Sequence, residues 1–126
     1  MLVVLGLVTA WDGTLALAGP GALDGKVFAG RIGRKGRAKG DKDELRFANG
    51  KFRSTACDPY GFGDGAYTAS AQGDTVTFEA QTTSPTDGTM RWKGMVRAKT
   101  LEGTATWSKP GKKAPEEYWF KATRKD

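Results

Sequence analysis

From Lys26 onward apolar residues fall on every second position, and turn dipeptides cut the runs that carry them at short intervals. Only an extended strand sends successive side chains to opposite faces, so this period of two excludes a helical body. In "ELRF", Leu45 and Phe47 share a face opposite Glu44 and Arg46. Asn49-Gly50 follows, a hairpin signal because both residues tolerate positive φ. "KFRSTA" returns with Phe52, Ser54 and Ala56 inward, and "AYTASA" places Tyr67, Ala69 and Ala71 there. "TVTFEA" offers Val76, Phe78 and Ala80, and "TMRWKGMV" offers Met90, Trp92, Gly94 and Val96. "LEGTATW" turns Leu101, Gly103, Ala105 and Trp107 inward, and "YWFKA" turns Tyr118, Phe120 and Ala122 inward with Trp119 outward. With "KVFAGRI" at the start these make eight strands. Further turn signals at Gly73-Asp74, Asp87-Gly88 and Pro110-Gly111 stand where reversals are needed.

A meander in which each strand pairs with the next leaves two exposed edges unless the sheet closes. The expected fold is therefore all-β, an eight-stranded antiparallel up-and-down barrel spanning 26–126, with a β-sandwich as the alternative. Inward glycines and alanines suit a curved sheet, where larger side chains crowd the bend. A chain of 126 residues is one domain.

The N-terminal 25 residues read differently. Leu2–Ala10 is an apolar run too short to span a bilayer, which takes about 20 residues. Ala16-Leu17-Ala18 supplies the small-x-small pattern of a signal-peptidase site, with cleavage before Gly19. Residues 1–18 are thus expected to be a signal peptide and 19–25 a linker, which places the protein in the periplasm or outside the cell. No Lys or Arg precedes the run, and Trp11, Asp12 and Gly13 interrupt it. The alternative is an apolar N-terminal strand or helix of a cytosolic protein.

Composition removes several chemistries. The chain has no histidine, which takes away Ser-His and Cys-His activation and imidazole metal ligation. Cys57 is the single cysteine and builds neither a thiolate zinc site nor an internal disulfide. No cofactor or metal is implied. The formal charge of +6 bears on solubility and on attraction to anionic partners, not on fold.

"MRWKGMV" followed by "LEGTATW" gives W-x-G-x-V and then L-x-G-x-x-x-W on successive strands. In this the meander from about Lys26 to Lys125 resembles the calycin group of small barrels, which includes lipocalins, fatty-acid-binding proteins and avidins. In general make-up the chain is also similar to small secreted bacterial proteins. The G-x-W of a lipocalin first strand is replaced here by "VFAG", and the resemblance is one of architecture. It transfers no ligand and no binding residue.

Four stretches carry candidate chemistry. "CDPYGFGDGAY", Cys57–Tyr67, is long for a hairpin connection, and its glycines permit dihedrals other residues avoid. Tyr60 and Phe62 either fold over a ligand at the barrel mouth or plug the end of the core. Trp92 and Trp107 either line the same pocket or fill the interior. Cys57 falls on the outward register, with Asp58 beside it opposing thiolate formation and no base to activate it. "GRIGRKGRAKGDK" sets Arg31, Arg34, Lys35, Arg37, Lys39 and Lys42 among glycines. Such a loop suits phosphates, anionic glycans or lipid headgroups, or is simply a solvated hairpin connection. It holds no aromatic for base stacking, so specific nucleic-acid recognition is not expected. Asp41, Asp43 and Glu44 form an acidic cluster able to pair with the preceding lysines or weakly with calcium, without EF-hand spacing. Glu116 and Glu117 face opposite sides of a strand and make no carboxylate pair. Trp119, outward beside Lys121, hints at a contact surface.

Two functions follow as expectations. One is a non-enzymatic, exported binding module that holds a small apolar or amphipathic ligand at the barrel mouth through Tyr60, Phe62, Trp92 and Trp107. The other is an interaction protein that binds anionic polymers or membrane surfaces through Arg31, Arg34, Lys35, Arg37 and Lys39. An enzyme is disfavoured because the usual activating groups are missing.

Overall fold

A computed structural model of the chain describes residues 21–125. The expected signal peptide, residues 1–18, lies outside the described residues. Eight strands follow one another: β1 (Val27–Arg34), β2 (Asp41–Ala48), β3 (Lys51–Ser54), β4 (Asp64–Gln72), β5 (Thr75–Ser84), β6 (Gly88–Arg97), β7 (Thr100–Ser108) and β8 (Glu116–Arg124). Each is antiparallel to the next, and β1 also pairs with β8 from Phe28↔Arg124 to Arg34↔Tyr118, so the sheet is a closed barrel. Closure satisfies the two backbone edges that a sandwich would expose, and the sandwich alternative is set aside.

The alternation read from the sequence is the burial pattern of the strands. Leu45 and Phe47, Tyr67, Ala69 and Ala71, Phe78 and Ala80, and Met90, Trp92 and Val96 are all buried. Asn49 and Gly50 both take positive φ, 54° and 74°, as the two-residue β2–β3 turn requires.

One end of the barrel, where β1 begins, is sealed. The segment expected as a linker, 19–25, is part of the barrel body from Gly21 onward, because Leu23 is only 1% exposed and plugs the interior. The Tyr67 hydroxyl donates to Asp24 Oδ1 at 2.8 Å and accepts from the Leu23 N–H at 2.9 Å. Asp24 also accepts from the Gly50 N–H at 3.0 Å, tying plug to hairpin. Above this plug Phe47 packs edge-on against Tyr67 and Phe78, ring centroids 5.0 and 5.1 Å apart. Phe52, Trp92 and Phe120 continue the stack, with centroids 4.8 Å apart for Phe52–Trp92 and 5.6 Å for Trp92–Phe120. Gly94 and Gly103 face each other across β6 and β7. Their missing side chains admit Phe78 and Phe120, since a Cβ on Gly94 would lie 2.7 and 2.9 Å from those rings.

Two expectations change at the other end. The third strand stops at Ser54, and Thr55–Tyr60 forms a 3₁₀ turn that closes on Gly61 at φ 85°. That turn breaks the strand register, so Cys57 is not on the outer face: it is half-buried and packs against the core. The acidic cluster is likewise split by the pleat. Asp43 is buried inside the barrel, whereas Glu44 lies on the wall and pairs with Lys125 at 2.8 Å.

Candidate functional site

The open end of the barrel holds a cavity of about 700 Å³. Its wall is built from the ends of β1, β2, β6, β7 and β8 and from the 3₁₀ turn. The apolar lining comes from Ile32, Phe62, Met90, Trp107 and Tyr118, with Tyr60 at the lip. Arg34, Arg37 and Lys39 stand on one side of the mouth, and Asp41 and Asp87 also reach it. The size falls in the range of small-molecule pockets, and the lining has the usual mixture of apolar surface and few polar groups.

Sequence and structure agree on part of this set. Tyr60, Phe62 and Trp107 converge on the cavity, Phe62 only 6% exposed and Tyr60 61% exposed. Trp92 does not join them. It is buried two positions below Met90, its indole N–H donates to Thr82 Oγ1 at 3.1 Å, and it packs between Phe52 and Phe120 beneath the cavity. Part of the basic group meets part of the aromatic one, because Arg34, Arg37 and Lys39 share the cavity with Tyr60, Phe62 and Trp107. Arg31 and Lys35 point elsewhere, Arg31 to the Gly40 carbonyl at 3.1 Å and Lys35 to Glu117 at 3.3 Å. Sequence reasoning missed Ile32, Met90 and Tyr118 as lining residues. Their inward register was legible, but not that the interior stops being filled at their level.

Trp119 keeps its expected outward register, and it covers the backbone of Gly33 and Gly40 and donates to the Arg37 carbonyl at 2.8 Å. A Cβ on Gly33 would lie 2.7 Å from the indole. The basic loop is thereby held against the barrel wall beside the mouth.

The charges at the rim are unevenly neutralised. Glu116 accepts from Arg34 at 3.1 Å and from Lys112 at 2.7 Å, and the Tyr118 hydroxyl donates to it at 3.2 Å. Burial first, and that hydrogen bond second, push the Tyr118 phenol above its ordinary pKa. Lys112 also lies over the Trp107 ring, 5.0 Å from its centroid, and the Trp107 indole donates to the Asp87 carbonyl. Asp87 in turn pairs with Lys109 at 3.4 Å. Among the described residues no ion pair engages Arg37 or Lys39.

Cys57 faces the cavity with its thiol held protonated. Burial is the main cause, with Asp43 and Asp58 adding to it against a Ser54 hydrogen bond, and its pKa rises to about 11. Ser54 Oγ donates to Asp43 Oδ2 at 2.7 Å and lies 3.4 Å from Cys57 Sγ. Arg53, the nearest base in sequence, is committed to Asp58 at 3.0 Å and Asp64 at 3.4 Å. A thiol in this state is a poor nucleophile near neutral pH. Among the described residues no three His, Cys, Asp or Glu side chains are grouped to hold a metal ion. The chain matches no family model, no curated protein and no solved structure.

Proposed function

We propose that the protein is a non-enzymatic, exported binding module that takes a small apolar or amphipathic ligand into the mouth of its barrel. The observation that carries this reading is the contrast along the barrel axis: aromatic packing below Met90, an aromatic-lined cavity of about 700 Å³ above it. Interiors of small domains are normally filled to crystal-like density, so a hollow above Met90 is a feature to be explained by use. The calycin resemblance of the "MRWKGMV" and "LEGTATW" strands fits this reading, since such barrels open at one end. The raised pKa of Cys57 and the absence of histidine support a binding role over a catalytic one. Export rests on the Ala16-Leu17-Ala18 pattern.

Trp107 is the natural reporter. Titration with a panel of lipids and small aromatic metabolites is expected to change the intrinsic fluorescence, and Trp107→Phe to abolish most of that change. A panel without any response would end the proposal.

A second reading, adhesion to anionic polymers or membrane surfaces, has one observation of its own. Arg31 stands directly opposite Lys42 on β2 and Lys121 on β8, a row of like charges across three strands. Facing like charges cost stability, which an anionic partner would relieve. Retention on an anionic matrix is expected to fall with salt and to be lost when Arg31, Lys42 and Lys121 are neutralised along with Arg34, Lys35 and Arg37. Salt-independent retention removes this reading.

A further inference from the structure

The geometry points to an anionic amphiphile of medium length as the ligand of the mouth, its oxyanion head met by Arg37 and Lys39 and its apolar tail lying between Phe62, Met90 and Trp107. This rests on the binding reading above and narrows it to one chemical class.

The head follows from the charges left over at the rim. Arg34 is taken by Glu116 at 3.1 Å, and Asp87 by Lys109 at 3.4 Å. What remains facing the cavity is Arg37 and Lys39 against Asp41, which forms no ion pair among the described residues. Asp41 stands opposite Ile32 in the β1–β2 register and so shares its inward face, but on its own it leaves the mouth cationic. The backbone that carries the guanidinium is also held in place. Trp119 fixes the loop backbone at Arg37 through a 2.8 Å hydrogen bond, which lowers the entropy lost when the cations close on an anion. Arg presents a planar fork to a carboxylate or sulfate, and Lys adds a point charge.

The tail follows from the floor. Trp92 is packed tightly and blocks the lower barrel, so a ligand extends down β6 no further than the stretch from Gly88 to Trp92. Those four steps along a tilted strand span about 10 Å along the barrel axis. That depth takes an extended tail of about eight carbons and excludes the lower half of a long one.

The test uses the full chain, octanoate, octyl sulfate, octanol and octyltrimethylammonium, with affinity read by calorimetry and by Trp107 fluorescence. Octanoate and octyl sulfate are expected to bind about tenfold tighter than octanol, and the quaternary amine more weakly than either. The double substitution Arg37→Gln and Lys39→Gln should bring the anions to the level of octanol and leave octanol unchanged. Asp41→Asn should tighten the anions about threefold by removing the opposing charge. Dodecanoate should gain little over octanoate. All these side chains are exposed, and unchanged thermal melts would establish that the variants fold. Octanol binding as well as octanoate, with no effect of the double substitution, overturns the inference while leaving a binding module in place. Silence from all four compounds overturns both. An arm with phosphatidylglycerol vesicles separates the sources of the anion: retention by vesicles that octanoate does not compete away would assign the cations to a bilayer surface and overturn the inference.

Discussion

Asp43 is a carboxylate placed where a small barrel has almost no water to give it, and its environment sets a measurable pH dependence. Burial is the dominant influence and lifts its pKa above the ordinary 3.8, while hydrogen bonds from Ser54 and the Ala56 N–H work against the rise. A carboxyl whose pKa is raised on folding contributes most to stability below its unfolded value, and that contribution is lost as pH climbs through the folded one. Asp43→Asn removes the loss. Compared by thermal melts from about pH 3.5 to pH 7, the variant is expected to gain on the native protein as pH rises, the difference opening from about pH 4. Parallel curves would mean that Asp43 carries no such burden. The residue was legible only in part. Its neighbours Leu45 and Phe47 gave the inward face, and extending that alternation back two positions would have placed it inside. Adjacency to Asp41 and Glu44 suggested a cluster instead, although Glu44 must point away from both by the pleat.

The elements themselves were readable because strands and tight turns are local. Period-two runs and residues that accept positive φ announce themselves within a few positions, as Asn49-Gly50 did. The turn between β6 and β7 escaped, since Ala98 adopts φ 53° and alanine is no turn signal. The end of β3 escaped too, because "KFRSTA" continues the alternation two residues past the point where the chain coils into a 3₁₀ turn. Least readable was the tether of the basic loop, which joins Trp119 to a carbonyl 82 residues away. No local pattern encodes such a contact. It has a consequence for the loop as an element. Trp119→Ala deletes the hydrogen bond and uncovers Gly33 and Gly40, so residues 35–40 should open more often while the barrel stays folded. Limited trypsin digestion reads this directly, since the loop carries its own cleavage sites at Lys35, Arg37 and Lys39. Cleavage there is expected to quicken about tenfold, the population change that follows from losing about 1.4 kcal/mol of local stability. Native-like digestion would mean that the indole does not hold the loop.

At the scale of the whole molecule the barrel is two regions in series, a packed foot and a hollow bowl. Phe47 sits at the centre of the foot, in contact with Phe28, Phe52, Tyr67 and Phe78. Phe47→Ala should cost about 4 kcal/mol in urea unfolding, as large core truncations do. Trp107→Phe, on the wall of the bowl, should cost less than about 1 kcal/mol apart from its lost indole hydrogen bond. Equal costs would deny the division. That the chain closes on itself was visible in the sequence. Where its interior ceases to be filled was not, because it depends on how rings from seven strands interlock. The connections obey the same division. At the foot the reversals at Asn49-Gly50, Gly73-Asp74 and Ala98-Lys99 are each two residues, the shortest that antiparallel pairing allows, while the rim carries every long one. Insertions, deletions and sequence drift therefore have room only around the bowl. A lineage of such chains can alter what it carries without disturbing the part that makes it fold.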